Sequence, residues 1–178
     1  AGRDDVDALL YLADQWYGTT PILAACDTGK AIYSAASLPG SRREIDRLLA
    51  RVEQSGIAFM AELSCRHAAA TVRLKELIAT RLGQPRMLFC HQRVPQPAAD
   101  CPREAAAARR NLIEMIDWCC YVIDRPAASV VSVRHATPDG GSPADYEMLS
   151  LDFSQDEPPG SGPLAQISSG QYIPATWE

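Results

Sequence analysis

The stretch GKAIYSAASLP (residues 29–39) contains the end of a helix, a short apolar strand and a turn, and this order indicates a layered α/β fold. The segment before it, TTPILAACDTG (19–29), predicts a helix, because Pro21 suits a first turn and Gly29 suits a stop. VDALLYLA (6–13) is an apolar run of strand length. Strand, helix and strand in this order indicate neighbouring parallel strands.

The pattern continues beyond the turn. Ser41 and Glu44 form a capping-box pattern at the start of a helix with one apolar stripe, which Gly56 ends. IAFMAELS (57–64) then predicts a third strand. Apolar strands that alternate with helices predict one half of a doubly wound parallel sheet. Because half a sheet has an exposed flank, we expect the chain to be cut at its N-terminus, with the other half upstream.

The pattern changes after residue 65. HAAATVRLKELIATRLG (67–83) predicts a helix, PRMLFCHQRV (85–94) a strand, and the segment from about Pro102 to Ile123 a long helix. Three strands separated by loops rich in glycine and proline follow and predict an antiparallel meander: ASVVSVRHA (128–136), DYEMLSLDF (145–153) and LAQISSG (164–170). The predicted fold is an α/β half-sheet followed by an α+β part with an antiparallel sheet.

Composition argues against two classes of partner, nucleic acids and membranes. The net charge is −5, and the arginine pairs at 42–43 and 109–110 lie beside acidic residues, which predicts solvated helix faces rather than a nucleic-acid site. No apolar run approaches the roughly 18–20 residues that span a bilayer, so we expect no membrane partner.

Cysteine and histidine spacing gives no metal or disulfide pattern. The six cysteines form no C-x-x-C and resemble small buried apolar side chains, which favours a reducing compartment and a cytoplasmic location. The three histidines lie far apart in the sequence, so no metal site is predicted: His67, His91 and His135.

Parallel sheets bind ligands beyond the carboxyl ends of their strands, and three such ends are predicted here. Trp16 and Tyr17 follow the first strand, where they are suited to stacking on a ligand or simply to packing. Arg66 and His67 follow the third, where they suit an anion, although capping or ion pairing explains them as well. The second end is occupied by alanine and serine.

Two carboxylates on the long helix form a further candidate site. Glu114 and Asp117 lie three residues apart and so share one helical face. Paired carboxylates can perform acid–base chemistry, but they are also common on solvated helix surfaces. Their neighbours in sequence are mostly apolar, and buried acids are costly unless they are neutralised.

Several phrases agree in order and spacing with one known family, the Gfo/Idh/MocA oxidoreductases, which the chain resembles over nearly its whole length. They are DVDALLYLAD (5–14), ILAACDTGKAIY (22–33), EIDRLLARVEQSGIAFMAELSCRH (44–67), LKELIATRLGQPRMLF (74–89) and IDWCCYVIDRPAASV (116–130). The resemblance implies that residues 1–65 are the C-terminal half of a Rossmann-like dinucleotide-binding domain. It implies that residues 66–178 are a truncated α+β domain with an antiparallel sheet.

The resemblance also implies an active site from which residues have been lost. The family's E-K-P segment reads Ala35-Ala36-Ser37 here, so Ala36 stands where the family has its lysine. In the later G-x-H-x-x-D motif Asp117 is retained, but Glu114 replaces the acid–base histidine. The resemblance places Asp14, Trp16, Ala35 and Ala36 at cofactor positions. Tyr17, Arg66 and His67 are expected to line the substrate cleft because they follow the ends of the predicted strands.

The expected function follows from these replacements. The resemblance implies a parent protein that transfers hydride between NAD or NADP and a sugar or polyol, here with impaired catalysis. We expect this segment alone to bind no dinucleotide and to be inactive. The alternative is a non-catalytic ligand-binding or oligomerisation protein, since family members associate through the open face of the sheet. A third possibility is an active dehydrogenase that uses other residues, which would need Glu114 to titrate near neutrality. Glu114 and Asp117 could instead support a different acid–base reaction.

Overall fold

The computed structural model describes residues 2–12, 17–35, 41–93, 102–135, 146–155 and 158–170, with side chains throughout except at 102–109. The chain divides into two compact units, Ala1–Glu62 and Leu63–Glu178, each with its own core. The sequence puts the domain boundary after Cys65, and that assignment stays a prediction. Within the described ranges no helix combines the length and the apolar character needed to cross a bilayer.

The first unit is built on three parallel strands. β1 (Ala8–Tyr11), β2 (Ala31–Ser34) and β3 (Phe59–Ala61) lie in that order, with Ile32 paired to Leu9 on one side and to Phe59 on the other. The predicted parallel sheet is therefore confirmed. Its strands are shorter than the apolar runs that predict them.

Two helices cover one face of this sheet, α1 (Thr20–Thr28) and α2 (Arg42–Ser55). They pack on the face formed by alternate strand residues, and the buried core is Tyr11, Ile22, Ala25, Ile32 and Leu48. Leu10, on the opposite face, is 73% exposed.

The helix ends follow the local signals in the sequence. The Ser41 hydroxyl accepts a hydrogen bond from the backbone N–H of Glu44 at 3.3 Å and donates to the Glu44 carboxylate at 2.6 Å. The Ser41 half of the capping box is therefore formed as predicted, while the Glu44 carboxylate accepts a hydrogen bond from the Ser41 hydroxyl. Gly29 (φ 67°) and Gly56 (φ 65°) end α1 and α2 in the left-handed conformation that glycine adopts without strain.

The prediction of one continuous helix over residues 67–83 is wrong in detail. A 3₁₀ turn (Ser64–His67) precedes α3 (Ala69–Leu77), and a π-helical turn (Ile78–Leu82) follows it. The first break falls at Ala68, whose extended backbone (φ −61°, ψ 135°) separates α3 from the 3₁₀ turn, and the side chains of that turn bond to the long helix α4 (Pro102–Ile123). The break turns the 3₁₀ segment toward α4, whose bounds are those predicted.

The second unit contains a four-stranded mixed sheet in the order β4-β7-β6-β5. Its strands are β4 (Met87–Arg93), β5 (Ser129–His135), β6 (Tyr146–Asp152) and β7 (Leu164–Gly170). The last three pair as the predicted antiparallel meander. β4 joins in parallel beside β7, which the sequence does not predict.

Helix α4 supplies the layer that covers one face of this sheet. Cys119 and Ile123 pack against alternate residues of β6 and β7. The fully or almost fully buried residues of these strands and of the position after β6 are Leu149, Leu151, Phe153, Ala165 and Ile167. Side chains of the opposite parity point away from the helix. Among them Phe89 is 72% exposed and Val131 65%, so this outer sheet face is open and partly apolar.

The loop that joins β6 to β7 folds tightly over the end of β6. A Cβ atom at Gly162 would lie 2.8 Å from the Cα of Ser154, a contact that only backbone movement could relieve. The Ser154 hydroxyl accepts hydrogen bonds from the N–H groups of Gly160 and Gly162, both at 3.0 Å. The absence of a side chain at Gly162 therefore permits this closure.

Gly162→Ala is accordingly expected to destabilise the second unit by about 1–2 kcal/mol, the cost of forcing atoms into a packed site. The change is read from urea unfolding of the purified chain. Gly2→Ala is the matched control, because nothing lies within 4 Å of the added Cβ there. Equal losses in the two variants would contradict the packing argument.

Candidate functional site

Glu114 of α4 is held by three donors, all within the second unit. The Ser64 hydroxyl donates to its carboxylate at 3.0 Å, the Cys65 thiol at 3.4 Å, and the Arg110 Nε at 3.2 Å. The Glu114 side chain is only 13% exposed. Ser64 and Cys65 come from the 3₁₀ turn and Arg110 from the preceding turn of α4, so two elements together fix this carboxylate.

Asp117, one turn further along α4, is bound by a single side chain in a forked geometry. Arg66 Nε donates to one carboxylate oxygen at 2.7 Å, and a terminal nitrogen of Arg66 donates to the other. Such bidentate pairs are among the stronger hydrogen-bonded contacts in proteins. The guanidinium of Arg66 also lies 5.4 Å from the centre of the Tyr121 ring, and the Lys75 ammonium lies 5.1 Å from it.

These contacts shift the proton affinities of the cluster. Burial acts to raise the pKa of Glu114, but the hydrogen bonds from Arg110, Ser64 and Cys65 outweigh it, so the pKa of Glu114 is below its ordinary value. Burial, followed by the contact with Glu114, raises the pKa of the Cys65 thiol. The hydrogen bond with Asp117 raises the pKa of Arg66. At neutral pH Glu114 is therefore an ionised hydrogen-bond acceptor, and Cys65 is a neutral donor.

The lowered pKa of Glu114 gives a pH dependence with a definite sign. Its ionised form contributes stability above the unfolded-state pKa of about 4.3, and that contribution is lost as the pH falls through the lower folded-state pKa. In Glu114→Gln we expect a shallower fall of the unfolding free energy with acidification below about pH 5. Urea titrations at several pH values measure it. Glu53→Gln, at an exposed glutamate, is the matched control, and a fall in Glu114→Gln no shallower than the fall in Glu53→Gln would contradict the assignment.

The structure brings together only some of the residues singled out from the sequence. Arg66 meets Asp117, and Glu114 lies beside them on α4, whereas His67 is exposed. In the first unit Tyr17 is 66% exposed. Ala35 follows β2, and its N–H donates to the carbonyl of Tyr11 at 2.8 Å. The remaining predicted positions lie outside the described residues: Asp14, Trp16 and Ala36.

Sequence reasoning missed the partners that neutralise the two acids. The prediction of a solvated face at residues 109–110 is wrong for Arg110, whose side chain is 33% exposed and pairs with Glu114. The spacing of four residues between them is a local signal that could have found this pair. The exposed pair of Arg42 with Asp46 does fit the predicted solvated face.

A small cavity of about 190 Å³ opens beside this cluster. It is lined by Cys65, Ala68, Thr71, Met115 and Trp118. Trp118 Nε1 donates to the Thr71 hydroxyl at 2.9 Å, which uses the polar edge of the indole. In the described part of the chain, no group of three or more histidine, cysteine or acidic side chains is arranged to hold a metal ion.

Comparison with known proteins identifies the fold. No protein-family model and no curated protein matches the chain. Among solved structures, a "putative myo-inositol dehydrogenase" from Sinorhizobium meliloti 1021 is similar at 19% identity and a TM-score of 0.78, over 96% of this chain and 52% of that one. A "putative NADPH-dependent oxidoreductase" from Desulfitobacterium hafniense DCB-2 is similar at 18% identity and a TM-score of 0.76, over 95% of this chain and 50% of that one. A "probable dehydrogenase" from Thermotoga maritima is similar at 17% identity and a TM-score of 0.73, over 94% of this chain and 51% of that one.

The chain spans about half the length of these proteins. At such identities the likeness concerns the fold, which is the one that the sequence resemblance predicts: part of a Rossmann-type sheet followed by an α+β part. The chain thus shares the fold of about half of each of these three proteins, which are named as dehydrogenases or an oxidoreductase.

Proposed function

We propose that this chain is part of an NAD(P)-dependent oxidoreductase of the Gfo/Idh/MocA type that acts on a sugar or polyol, with impaired hydride transfer. The shared fold supports the oxidoreductase class. The impairment follows from two positions, since Ala36 stands where the family has its lysine and Glu114 where it has its histidine. An alanine can neither polarise an alcohol nor carry a proton.

The surroundings of Glu114 are the observation that carries this proposal. A general base is most effective when its pKa lies near the working pH. Glu114 accepts hydrogen bonds from Arg110, Ser64 and Cys65, and its pKa is lowered. Its carboxylate is therefore a weak base toward an alcohol, and it holds no proton to return at neutral pH. Loss of a positioned acid–base typically costs about 10²–10⁴ in rate.

The residues of this chain do not by themselves fit a dinucleotide. Ala35, the described residue among the family's cofactor positions, has no polar side chain, and its N–H is used by the carbonyl of Tyr11. The sequence contains no G-x-G-x-x-G loop, the element that receives a pyrophosphate. We therefore assign NAD or NADP to the parent protein and derive no catalytic step through it.

The test uses the natural protein that contains this chain, at its full natural length. NADH and NADPH are titrated by energy transfer from tryptophan, and polyol oxidation is then assayed in the unaltered protein and in the double variant Ala36→Lys, Glu114→His. We expect saturable cofactor binding and a rate that the double variant raises by about 10² or more. Glu53→His controls for an added imidazole. Rapid polyol oxidation by the unaltered protein, independent of Glu114, would refute the proposed impairment.

A second candidate function is a non-catalytic assembly protein, which the open outer face of the four-stranded sheet favours. This outer sheet face presents Met87, Phe89, Val131 and Val133, each about half exposed or more. Apolar patches of this kind mark interaction surfaces. Sedimentation of the natural protein should then show a homo-oligomer that Phe89→Glu with Val131→Glu dissociates. A monomer at every concentration would exclude this function.

A further inference from the structure

Two thiols of the second unit lie in contact between its helix and its sheet. The sulfur of Cys90 on β4 is 3.6 Å from the sulfur of Cys119 on α4. Cys119 is fully buried in the core, whereas Cys90 is partly exposed. Neither residue takes part in the cluster around Glu114 and Asp117.

We propose that Cys90 and Cys119 form a reversible disulfide when the protein meets a hydroperoxide, and that this bond ties the edge strand β4 to the site helix α4. Closing the bond requires the two sulfurs to approach from 3.6 Å to about 2.05 Å. Both side chains already point into the same interface, so the movement needed is about 1.5 Å.

The two thiols have different parts in the reaction. The hydrogen bond between the two thiols lowers the pKa of Cys90, while the same bond and burial raise the pKa of Cys119. The thiolate is the nucleophile in thiol chemistry, and Cys90 is also the more accessible of the two. Cys90 is therefore the residue that the oxidant meets first.

The disulfide between Cys90 and Cys119 would form in two steps. The Cys90 sulfur attacks one oxygen of the hydroperoxide, the O–O bond breaks, and Cys90 becomes a sulfenic acid while the peroxide is reduced to water or an alcohol. The Cys119 sulfur then attacks the Cys90 sulfur, the S–O bond breaks, and water leaves with the thiol proton. The product is one disulfide. A small thiol reverses the reaction by exchange.

The bond would act on the candidate site through α4. Glu114 and Asp117 lie on this helix within five residues of Cys119, and β4 is an edge strand of the sheet. A covalent tie between them restricts local opening of the strand and of the helix turn that carries both acids. Oxidation is thus expected to slow amide exchange in β4 and in the second half of α4.

Peptide mapping tests the proposal directly. The reduced 178-residue chain is treated with hydrogen peroxide, its remaining thiols are alkylated, and it is digested with trypsin without reduction. Peptide 87–93 contains Cys90 as its one cysteine, and the peptide that begins at Asn111 contains Cys119 and Cys120. Cys119→Ala and Cys120→Ala form a matched pair that separates the two neighbours.

The expected result is a linked pair of peptides in the unaltered chain and in Cys120→Ala, lost in Cys119→Ala and in Cys90→Ala. Should Cys119→Ala fail to fold, the unaltered chain and Cys120→Ala still decide the matter. Peroxide that consumes the thiols without producing this linked pair would overturn the proposal. So would a link that survives in Cys119→Ala or vanishes in Cys120→Ala, because Cys120 would then be the partner.

Discussion

Phe153→Ala is expected to lower the free energy of unfolding of the second unit by about 3–5 kcal/mol. Phe153 directly follows β6, is 0% exposed, and belongs to the cluster formed by α4 with β6 and β7. Truncation removes the ring from the core and leaves a cavity that the surrounding strands, fixed by their ladder, fill only in part. Urea unfolding followed by circular dichroism measures the change.

Phe89→Ala is the control, because it deletes the same ring from the same sheet at a site that is 72% exposed. We expect it to change stability by no more than about 0.5 kcal/mol, as is usual at the surface. Similar losses in the two variants would mean either that the outer sheet face is buried in solution or that Phe153 is not the centre of the core. Sedimentation of both variants separates these explanations.

Asp117→Ala is expected to cost about 2–3 kcal/mol, because it removes both acceptors of the Arg66 fork and leaves a charged group without its hydrogen bonds. The Asp117 side chain is 15% exposed and that of Arg66 is 39% exposed, so solvent compensates only in part. The lost contact also leaves the 3₁₀ turn held to α4 by the hydrogen bonds of Ser64 and Cys65 to Glu114, without the Arg66 fork. Faster amide exchange at Ser64–His67 should accompany the loss of stability.

The matched control is Asp46→Ala, which breaks the exposed pair of Arg42 with Asp46 on α2. Pairs of that kind, four residues apart on a solvated helix, contribute only about 0.3–0.5 kcal/mol. A loss at Asp117 no greater than the loss at Asp46 would show that the Arg66–Asp117 pair contributes nothing beyond an ordinary surface contact.

Local signals explain which parts of the fold the sequence predicts. The bounds of α4 follow from Pro102 at one end and from Asp124-Arg125-Pro126 at the other, and the ends of α2 follow from Ser41 and Gly56. The partner of β4 could not be predicted in this way. His91 and Ser168, hydrogen-bonded at 2.6 Å, are 77 residues apart in sequence, and no local pattern specifies such a pairing.

In the candidate site, too, the sequence indicates the local contacts but not the contacts between distant segments. The spacing of Glu114 and Asp117 indicates that they share a helical face, and the spacing of Arg110 and Glu114 indicates an ion pair. Ser64 and Arg66 lie about 50 residues before the acids that they bind, and only the packing of the 3₁₀ turn on α4 brings them there. The sequence therefore places two acids on one helical face and leaves open whether they are buried, and it does not predict that Ser64 and Arg66 bind them.

The proton affinity of Glu114 decides whether its carboxylate can act as the acid–base in hydride transfer. Its side-chain carboxyl is followed by ¹³C NMR through a pH titration of the chain, with the signal assigned by its loss in Glu114→Gln. We expect a midpoint below the ordinary value of about 4.3, because Arg110, Ser64 and Cys65 hold the ionised carboxylate. A midpoint near neutrality would contradict this expectation and would make Glu114 a competent acid–base for hydride transfer.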